Sequence, residues 1–393
     1  MTSSKKIWIN TGEISGDMHG ASLMAALRAL APGVRLMGMG GPKMRRQGFE
    51  SFFQVEQLSV MGITEVIGHL PKIFRLLKDI EQKLLEEKPD AIVVIDSPDF
   101  HFRVIKIAEK LDIPVYYYIS PKIWAWRQNR ALFIKKNVRR LISILPFEVD
   151  FYKKFGMDID YVGNPLMDQI DVPALDKLEP VPGRIGFMPG SRKKEVSSLM
   201  PEFGKAAREL AALKPDLQFH CAVAPGLSQE YLSSFWPEEV AITYRQPEER
   251  YEFMRGCQAI ISASGTATLE SALLGTPTLI SYKVSRFSFC VAKIVIKVPY
   301  IGLANLIMGR EILPEVLQGA ANGPNLAAIV AHWLELGEVK KEGPRFMEDI
   351  EPKLVSECGS LEQIKKNLTA LREIVGGPGA AGRAAKIILE DLD

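Results

Sequence analysis

Ala91-Ile92-Val93-Val94-Ile95-Asp96-Ser97-Pro98-Asp99-Phe100 is the stretch on which the fold turns. Five apolar residues, four of them β-branched, run together without a polar interruption. Such a run reads as a strand covered on both faces, the mark of a parallel sheet with crossover helices. Runs of the same kind lie around it at Lys6 to Asn10, Val34 to Met39, Val115 to Ile119 and Leu141 to Leu145. Between them, Ala21 to Leu30 and Ile73 to Glu87 carry apolar residues at helical spacing, and each is followed by a Pro or Gly that stops it.

The pattern breaks at DVPALDKLEPVPGR, where Pro173, Pro180 and Pro182 stiffen a polar stretch that cannot continue a helix. It then restarts with Arg184 to Met188, Leu217 to Val223, Val240 to Tyr244, Ala259 to Ser262 and Thr278 to Tyr282. Leu361 to Val375 reads as a helix, GGPGAAG as a turn, and Arg383 to Leu392 as a last helix. The expectation is an α/β protein of two Rossmann-like domains facing across a cleft, with ligands at the carboxyl ends of the strands. Its parts are residues 1–172, residues 173–345, and C-terminal helices over 346–393 that pack back on the first domain.

Composition sets the outer limits. A chain of 393 residues with 47% hydrophobic and 24% charged residues can bury two sizeable cores. Lys plus Arg (49) nearly balances Asp plus Glu (47), so no global positive field holds nucleic acid. Cys221, Cys257, Cys290 and Cys358 lie far apart with no C-x-x-C spacing and read as buried free thiols. No run of about 18 uncharged apolar residues is present, so a spanning helix is not expected.

Several loops carry chemistry. Thr11-Gly12-Glu13-Ile14-Ser15-Gly16-Asp17 follows the first strand, where small residues let a ligand approach and a helix start offers free N–H groups. The sequence does not fit G-x-G-x-x-G, and a tight turn explains it as well. Asp96 and Asp99 stand at a strand's carboxyl end, where either supplies a general base or caps the next helix. In Ser120-Pro121-Lys122-Ile123-Trp124-Ala125-Trp126-Arg127, Trp124 and Arg127 either meet a sugar or acyl chain or belong to the core.

In the second half, Pro189-Gly190-Ser191-Arg192 leads from strand to helix, and Arg192 offers a bidentate fork to a diphosphate. Ser264-Gly265-Thr266 repeats the arrangement, with Glu270 one turn inside its helix, placed to accept ribose hydroxyls. Each alone is a capped helix; together they point to a nucleotide. Asp158-Ile159-Asp160 reads as a strand start, and no metal site is expected. Finally, VMGITEVIGHLPKIFRLLKDI, residues 60–80, mixes many apolar residues with Lys72, Arg75 and Lys78. Ile73, Phe74, Leu77 and Arg75 are its candidates for docking at a lipid surface, with a buried helix as the competing reading. Lys283 to Lys297 repeats the mix with Arg286, Phe287, Phe289, Lys293 and Lys297.

In this order the motifs GEISGD, VMGITEV, IDSPDF, SPKIWAWR, LPFE, PGSRKKEV, SGTATLE and LANLIMGRE resemble the lipid-A-disaccharide synthases over nearly the whole chain. One departure is Gly163-Asn164-Pro165, where many relatives place His after the Gly. The resemblance implies a GT-B fold, no cofactor, no required metal, and a cytoplasmic enzyme held peripherally at the inner membrane. It implies transfer from UDP-2,3-diacylglucosamine to 2,3-diacylglucosamine 1-phosphate with inversion, giving a β-linked lipid A disaccharide. Asp96 is then the base, and Glu13, Ser15, Asp17, Asp99, Trp124 and Arg127 line the acceptor side. Gly190, Ser191, Arg192, Ser264, Gly265, Thr266, Glu270 and, from LANLIMGRE, Asn305 hold the UDP-sugar. The oligomeric state is left open, a homodimer included. The competing readings are another two-Rossmann UDP-sugar enzyme, such as a peptidoglycan glycosyltransferase or an epimerase, and a non-catalytic UDP-sugar-binding regulator.

Overall fold

The computed structural model describes residues 5–59, 66–285, 289, 294–337 and 352–393. They form two compact units, residues 1–169 with 376–393 and residues 170–375.

In the first unit seven strands are β1 (Lys6–Thr11), β2 (Arg35–Gly40), β3 (Glu50–Gln54), β4 (Ala91–Ile95), β5 (Val115–Tyr118), β6 (Arg140–Ser143) and β7 (Asp160–Tyr161). All pair in parallel in the order β3-β2-β1-β4-β5-β6-β7. The order reverses direction between β1 and β4, which opens a crevice at their carboxyl ends. Thr11 pairs with Ile95, so the next residues, Gly12-Glu13 and Asp96-Ser97, leave the sheet side by side. Ile7, Ile9, Val93 and Ile95 pack against Leu23, Met24 and Leu27 of the helix Ile14–Leu30. Ala380, Ala384, Ala385 and Ile388 of the helix Ala380–Leu392 join the same core, small side chains letting the two helices approach closely. Asp391 near its end accepts from Tyr116 Oη at 2.6 Å and pairs with Arg139.

The second unit has β8 (Arg184–Met188), β9 (Gln218–Ala222), β10 (Thr243–Arg245), β11 (Ala259–Ala263), β12 (Thr278–Tyr282) and β13 (Glu315–Leu317). They too are parallel, in the order β10-β9-β8-β11-β12-β13, with the reversal between β8 and β11. Cys221, Cys257 and Cys358 are free and buried.

Two strands escape the periodicity, β3 as a half-exposed edge and β13 with three residues too short to show a pattern, while the two-residue β7 follows the strand start read at Asp158-Ile159-Asp160. The run Val240 to Tyr244 shifts to Thr243–Arg245, because Val240 instead offers its carbonyl to Trp236 Nε1 at 2.8 Å. The C-terminal tract, grouped as 346–393 from sequence, divides between the units. The helix Leu361–Val375 stays with the second, where Arg372 grips both oxygens of Asp176 at 2.8 and 2.9 Å, and Ala380–Leu392 belongs to the first.

The apolar stretch at 60–80 falls partly outside the described residues, which omit 60–65 and the side chains of 66–70. In the helix Val66–Glu87, Leu76, Leu77, Ile80 and Leu84 are buried, so Leu77 is a core residue and not a docking one. Ile73 is half-buried, Arg75 exposed, and Phe74 is 56% exposed. In the second mixed stretch Arg286, Phe287 and Lys293 lie outside the described residues, Phe289 is half-buried and Lys297 exposed, while Ile294 and Ile296 are exposed. No helix among the described residues is long and apolar enough to cross a membrane.

Candidate active site

Asp96 leaves β4 with φ +55° and Ser97 follows with φ +41°, two successive left-handed residues that are not glycine. Conformations of this kind cost roughly 1–3 kcal/mol each and persist only where the surroundings impose them. Here a buried chain of hydrogen bonds does so. Trp8 Nε1 donates to Asn10 Oδ1 at 3.2 Å, and Asn10 Nδ2 donates to His101 Nε2 at 3.1 Å. His101 Nδ1 lies 2.7 Å from the carbonyl oxygen of Asp96, which also receives Tyr117 Oη at 2.8 Å. A carbonyl can only accept, so the imidazole carries its proton on Nδ1. Complete burial pushes the His101 pKa down to about 4, keeping the ring neutral and this tautomer fixed. The result is a rigid backbone under Asp96.

The Asp96 carboxyl is itself raised above the ordinary range, first by burial, with the Lys122 ammonium pulling the other way. Glu13, from the loop after β1, is raised by burial and then by the negative charge of Asp96, again opposed by Lys122. Two carboxyls and one ammonium therefore share the switch point of the first sheet, where a raised carboxylate is the better proton acceptor. Gly12 lets them gather, since a Cβ there would fall 2.4 Å from the Ser97 hydroxyl. Ser15 is exposed at the start of the neighbouring helix.

Other residues expected on the acceptor side have different work. Asp17 is buried, and its carboxylate accepts from the backbone N–H of Gly41, Lys43 and Met44 at 2.9, 2.8 and 3.1 Å. It caps the helix Pro42–Arg46 and is not a ligand group. Trp124 is buried, its Nε1 donating at 2.8 Å to the fully buried Glu148, so it belongs to the core. Asn164, after Gly163, closes a turn, accepting from Leu166 N at 3.0 Å. Asp99 is exposed and holds Arg127 and Arg130 at 3.2 and 2.5 Å.

At the switch point of the second sheet two loops start helices next to each other. Gly190, with φ +98°, has no room for a side chain: a Cβ would stand 2.7 Å from Glu195 and 3.3 Å from Ala263 of the adjoining strand. The helix Lys193–Leu213 begins here, its first turn covered by Glu195, which takes Arg192 Nη1 at 2.8 Å. The Arg192 side chain is 81% exposed and Ser191 is exposed as well. Beside it Ser264 is half-buried, Gly265 and Thr266 are exposed, and the helix Thr266–Leu273 follows. Glu270 inside that helix is buried, raised by desolvation, and meets Arg250 Nη2 at 3.3 Å. The same guanidinium lies over the ring of Tyr251. Asn305 is a different case. It is wholly buried, donates to Leu313 O and Glu315 Oε1 at 2.8 Å each, and accepts from Ile312 N and Leu313 N at 2.8 and 2.9 Å. Its hydrogen-bonding capacity is spent on its own chain, which removes it from the UDP-sugar set.

Sequence reasoning passed over Asn10, Tyr117, Lys122 and Arg250 as site residues. Asn10 inside an apolar strand was the readable signal, because a buried amide demands partners. Lys122, in a loop, gave none.

Two parallel sheets of this order define the two-Rossmann, GT-B class of glycosyltransferases and UDP-sugar enzymes. Among solved structures, the fold is similar to Acinetobacter baumannii MurG (TM-score 0.61, 12% identity, 98% of this chain and 99% of that one). It is also similar to the Neisseria meningitidis UDP-GlcNAc 2-epimerase bound to UDP-GlcNAc (TM-score 0.58, 13% identity, 98% and 99%). The family model for lipid-A-disaccharide synthetase matches residues 7–366. Lipid-A-disaccharide synthase of Myxococcus xanthus is 37% identical over 100% of this chain and 99% of its own. That of Geobacter sulfurreducens is 34% identical over 99% and 98%. The chain belongs to the lipid-A-disaccharide synthase family.

Proposed function

We infer that the protein is a UDP-sugar-dependent glycosyltransferase joining UDP-2,3-diacylglucosamine to 2,3-diacylglucosamine 1-phosphate, with lipid A disaccharide 1-phosphate and UDP as products. The observation that carries the mechanism is the fixed, partly desolvated Asp96 at the switch point of the first sheet. The acceptor's primary hydroxyl gives its proton to Asp96 as its oxygen bonds to the anomeric carbon. The bond from that carbon to the UDP oxygen breaks, and its electron pair leaves with UDP. Direct displacement inverts the anomeric centre. The Lys122 ammonium opposes the raising effect of burial on the Asp96 carboxyl. Arg192 and the helix starts at Gly190-Ser191 and Ser264-Gly265-Thr266 take the diphosphate, countering the charge that grows on it without calling on a cation. Glu270, oriented by Arg250, takes the ribose hydroxyls.

Both substrates carry acyl chains. Exposed Phe74, with Arg75, Lys72 and half-buried Ile73 around it, supports peripheral docking on the cytoplasmic face of the inner membrane. The test is incubation with the two purified substrates, followed by mass spectrometry. A disaccharide 1-phosphate with stoichiometric UDP is expected. An altered UDP-sugar with no disaccharide would instead identify an epimerase, and binding without any turnover a regulator.

A further inference from the structure

The helix Pro98–Lys110 starts three residues after β4, so its first turn borders Asp96. Asp99, Phe102, Arg103 and Lys106 recur on it at intervals of three, one and three residues, which places them along a single stripe. Arg127 and Arg130 face that stripe, and together the six line an open recess of about 470 Å³. Four cations thus surround one carboxylate. Asp99 fixes two of them, through Arg127 Nη1 at 3.2 Å and Arg130 Nη2 at 2.5 Å. Each guanidinium also lies on a ring: Arg127 on Trp126 at 3.9 Å, Arg130 on Phe102 at 4.9 Å, Arg103 on Phe74 at 5.1 Å. Stacking in this way occupies the face of a guanidinium and leaves the in-plane N–H donors to point outward. Arg103 and Lys106 are exposed and have no carboxylate partner among the described residues.

Such excess positive charge, gathered in a recess and held in orientation, suits an anion with several free oxygens and more than one charge. A phosphate monoester carries about −1.5 to −2 at neutral pH and three acceptor oxygens, whereas the phosphodiester of a common phospholipid carries only one charge. We propose that this recess binds the anomeric phosphate of the acceptor, with Arg103 and Lys106 contacting it directly and Asp99 holding Arg127 and Arg130 in place. The assignment rests on the acceptor inferred above. The recess begins one turn from Asp96 and runs about 10 Å down the helix. A sugar whose hydroxymethyl group meets Asp96 can therefore set its far end, the anomeric phosphate, among these cations. Binding there would orient the primary hydroxyl toward the base and reject acceptors lacking the phosphate.

The test uses the full chain and the variant Arg103→Gln/Lys106→Gln, whose two sites are exposed and outside the core. Glucosamine 1-phosphate is titrated and followed by phosphorus NMR, and kcat/KM is measured for diacylglucosamine with and without its phosphate. The variant should weaken glucosamine 1-phosphate binding about tenfold or more, as expected for lost charge-assisted hydrogen bonds. Discrimination between the two acceptors should shrink by a similar factor, with UDP affinity unchanged. Equal binding of glucosamine 1-phosphate by both proteins would overturn the proposal, whether or not a disaccharide forms. So would unchanged discrimination, and if the variant also lost affinity for vesicles of anionic over neutral phospholipid, the cations would serve the bilayer instead. Failure of the wild type to make disaccharide, with glucosamine 1-phosphate still bound through these residues, would count against the reaction and not against the site.

Discussion

At the switch point of the first sheet a half-buried carboxyl, Asp96, rests on a buried network of hydrogen-bonded side chains, whereas at that of the second Ser191, Gly265 and Thr266 are exposed turns beside one extended guanidinium. Asp96 stands on a strained backbone pinned by His101 and Tyr117. Arg192, by contrast, is paired among the described residues with Glu195, three residues away, and is mostly in solvent. Proton transfer needs a carboxylate fixed to within a fraction of an ångström, and burial supplies both the rigidity and the raised basicity. A diphosphate is recognised by many weak donors, and a site that must admit and release a nucleotide cannot be sealed. On the proposed roles, the same fold spends its switch points in two ways, one on precision and one on access.

The contrast can be broken most directly at Asp96. Asp96→Asn should keep the fold and the UDP Kd while lowering kcat by about 10²-fold or more, as for a lost general base. Near-normal turnover would remove Asp96 from the reaction. In the other unit, Arg192→Ala should raise the UDP Kd roughly tenfold, the scale of a lost charged hydrogen bond, and leave acceptor affinity alone. An equal effect on both substrates would show that the two sites are not separable.

A finer test concerns the relay. His101→Leu removes the donor to Asp96 O and leaves Asn10 without its acceptor. Turnover should fall about tenfold through misplacement of the base, with the KM for both substrates close to normal and the pH profile of kcat shifted. A lower melting temperature alone, with kcat unaltered, would reduce the relay to a packing device.

The smallest expected effect lies at Glu148, whose carboxyl is pushed up to about 7 by burial, against hydrogen bonds from Ser143 and Trp124. A folded-state pKa raised above the unfolded value of 4.5 means that the native state holds the proton more tightly. Its contribution to stability is therefore full below about pH 4.5 and is lost as pH rises to about 7. Glu148→Gln should flatten the dependence of melting temperature on pH across that window. A slope identical to wild type would show that Glu148 ionises normally.

Much of this was legible in the sequence, and the reasons are local. Ala91–Ile95, Arg184–Met188 and Thr278–Tyr282 are strands at the bounds their mostly apolar runs imply, because central parallel strands are covered on both faces. The turn chemistry at Gly190 was readable for the same kind of reason, since φ +98° calls for glycine. What could not be read was where side chains spend their hydrogen bonds. Asp17 and Asn305 look like ligand groups in one dimension, yet their partners lie 24 to 27 and 7 to 10 residues away. Leu77 failed for a related reason: an apolar stripe with nearby cations has the same spacing whether it meets lipid or a sheet.

The helix Ala380–Leu392 has a consequence for how the protein is made. It emerges from the ribosome after all of residues 170–375, so the second unit has its entire chain available first. The unit bearing Asp96 must wait, its sheet lacking Ala380, Ala384 and Ile388 on one side until translation is almost finished. The first unit is the older part of the nascent chain and the later one to complete its core. On the roles proposed above, a message cut short by a dozen codons should yield a polypeptide that keeps its UDP affinity but presents Asp96 on an unfinished core.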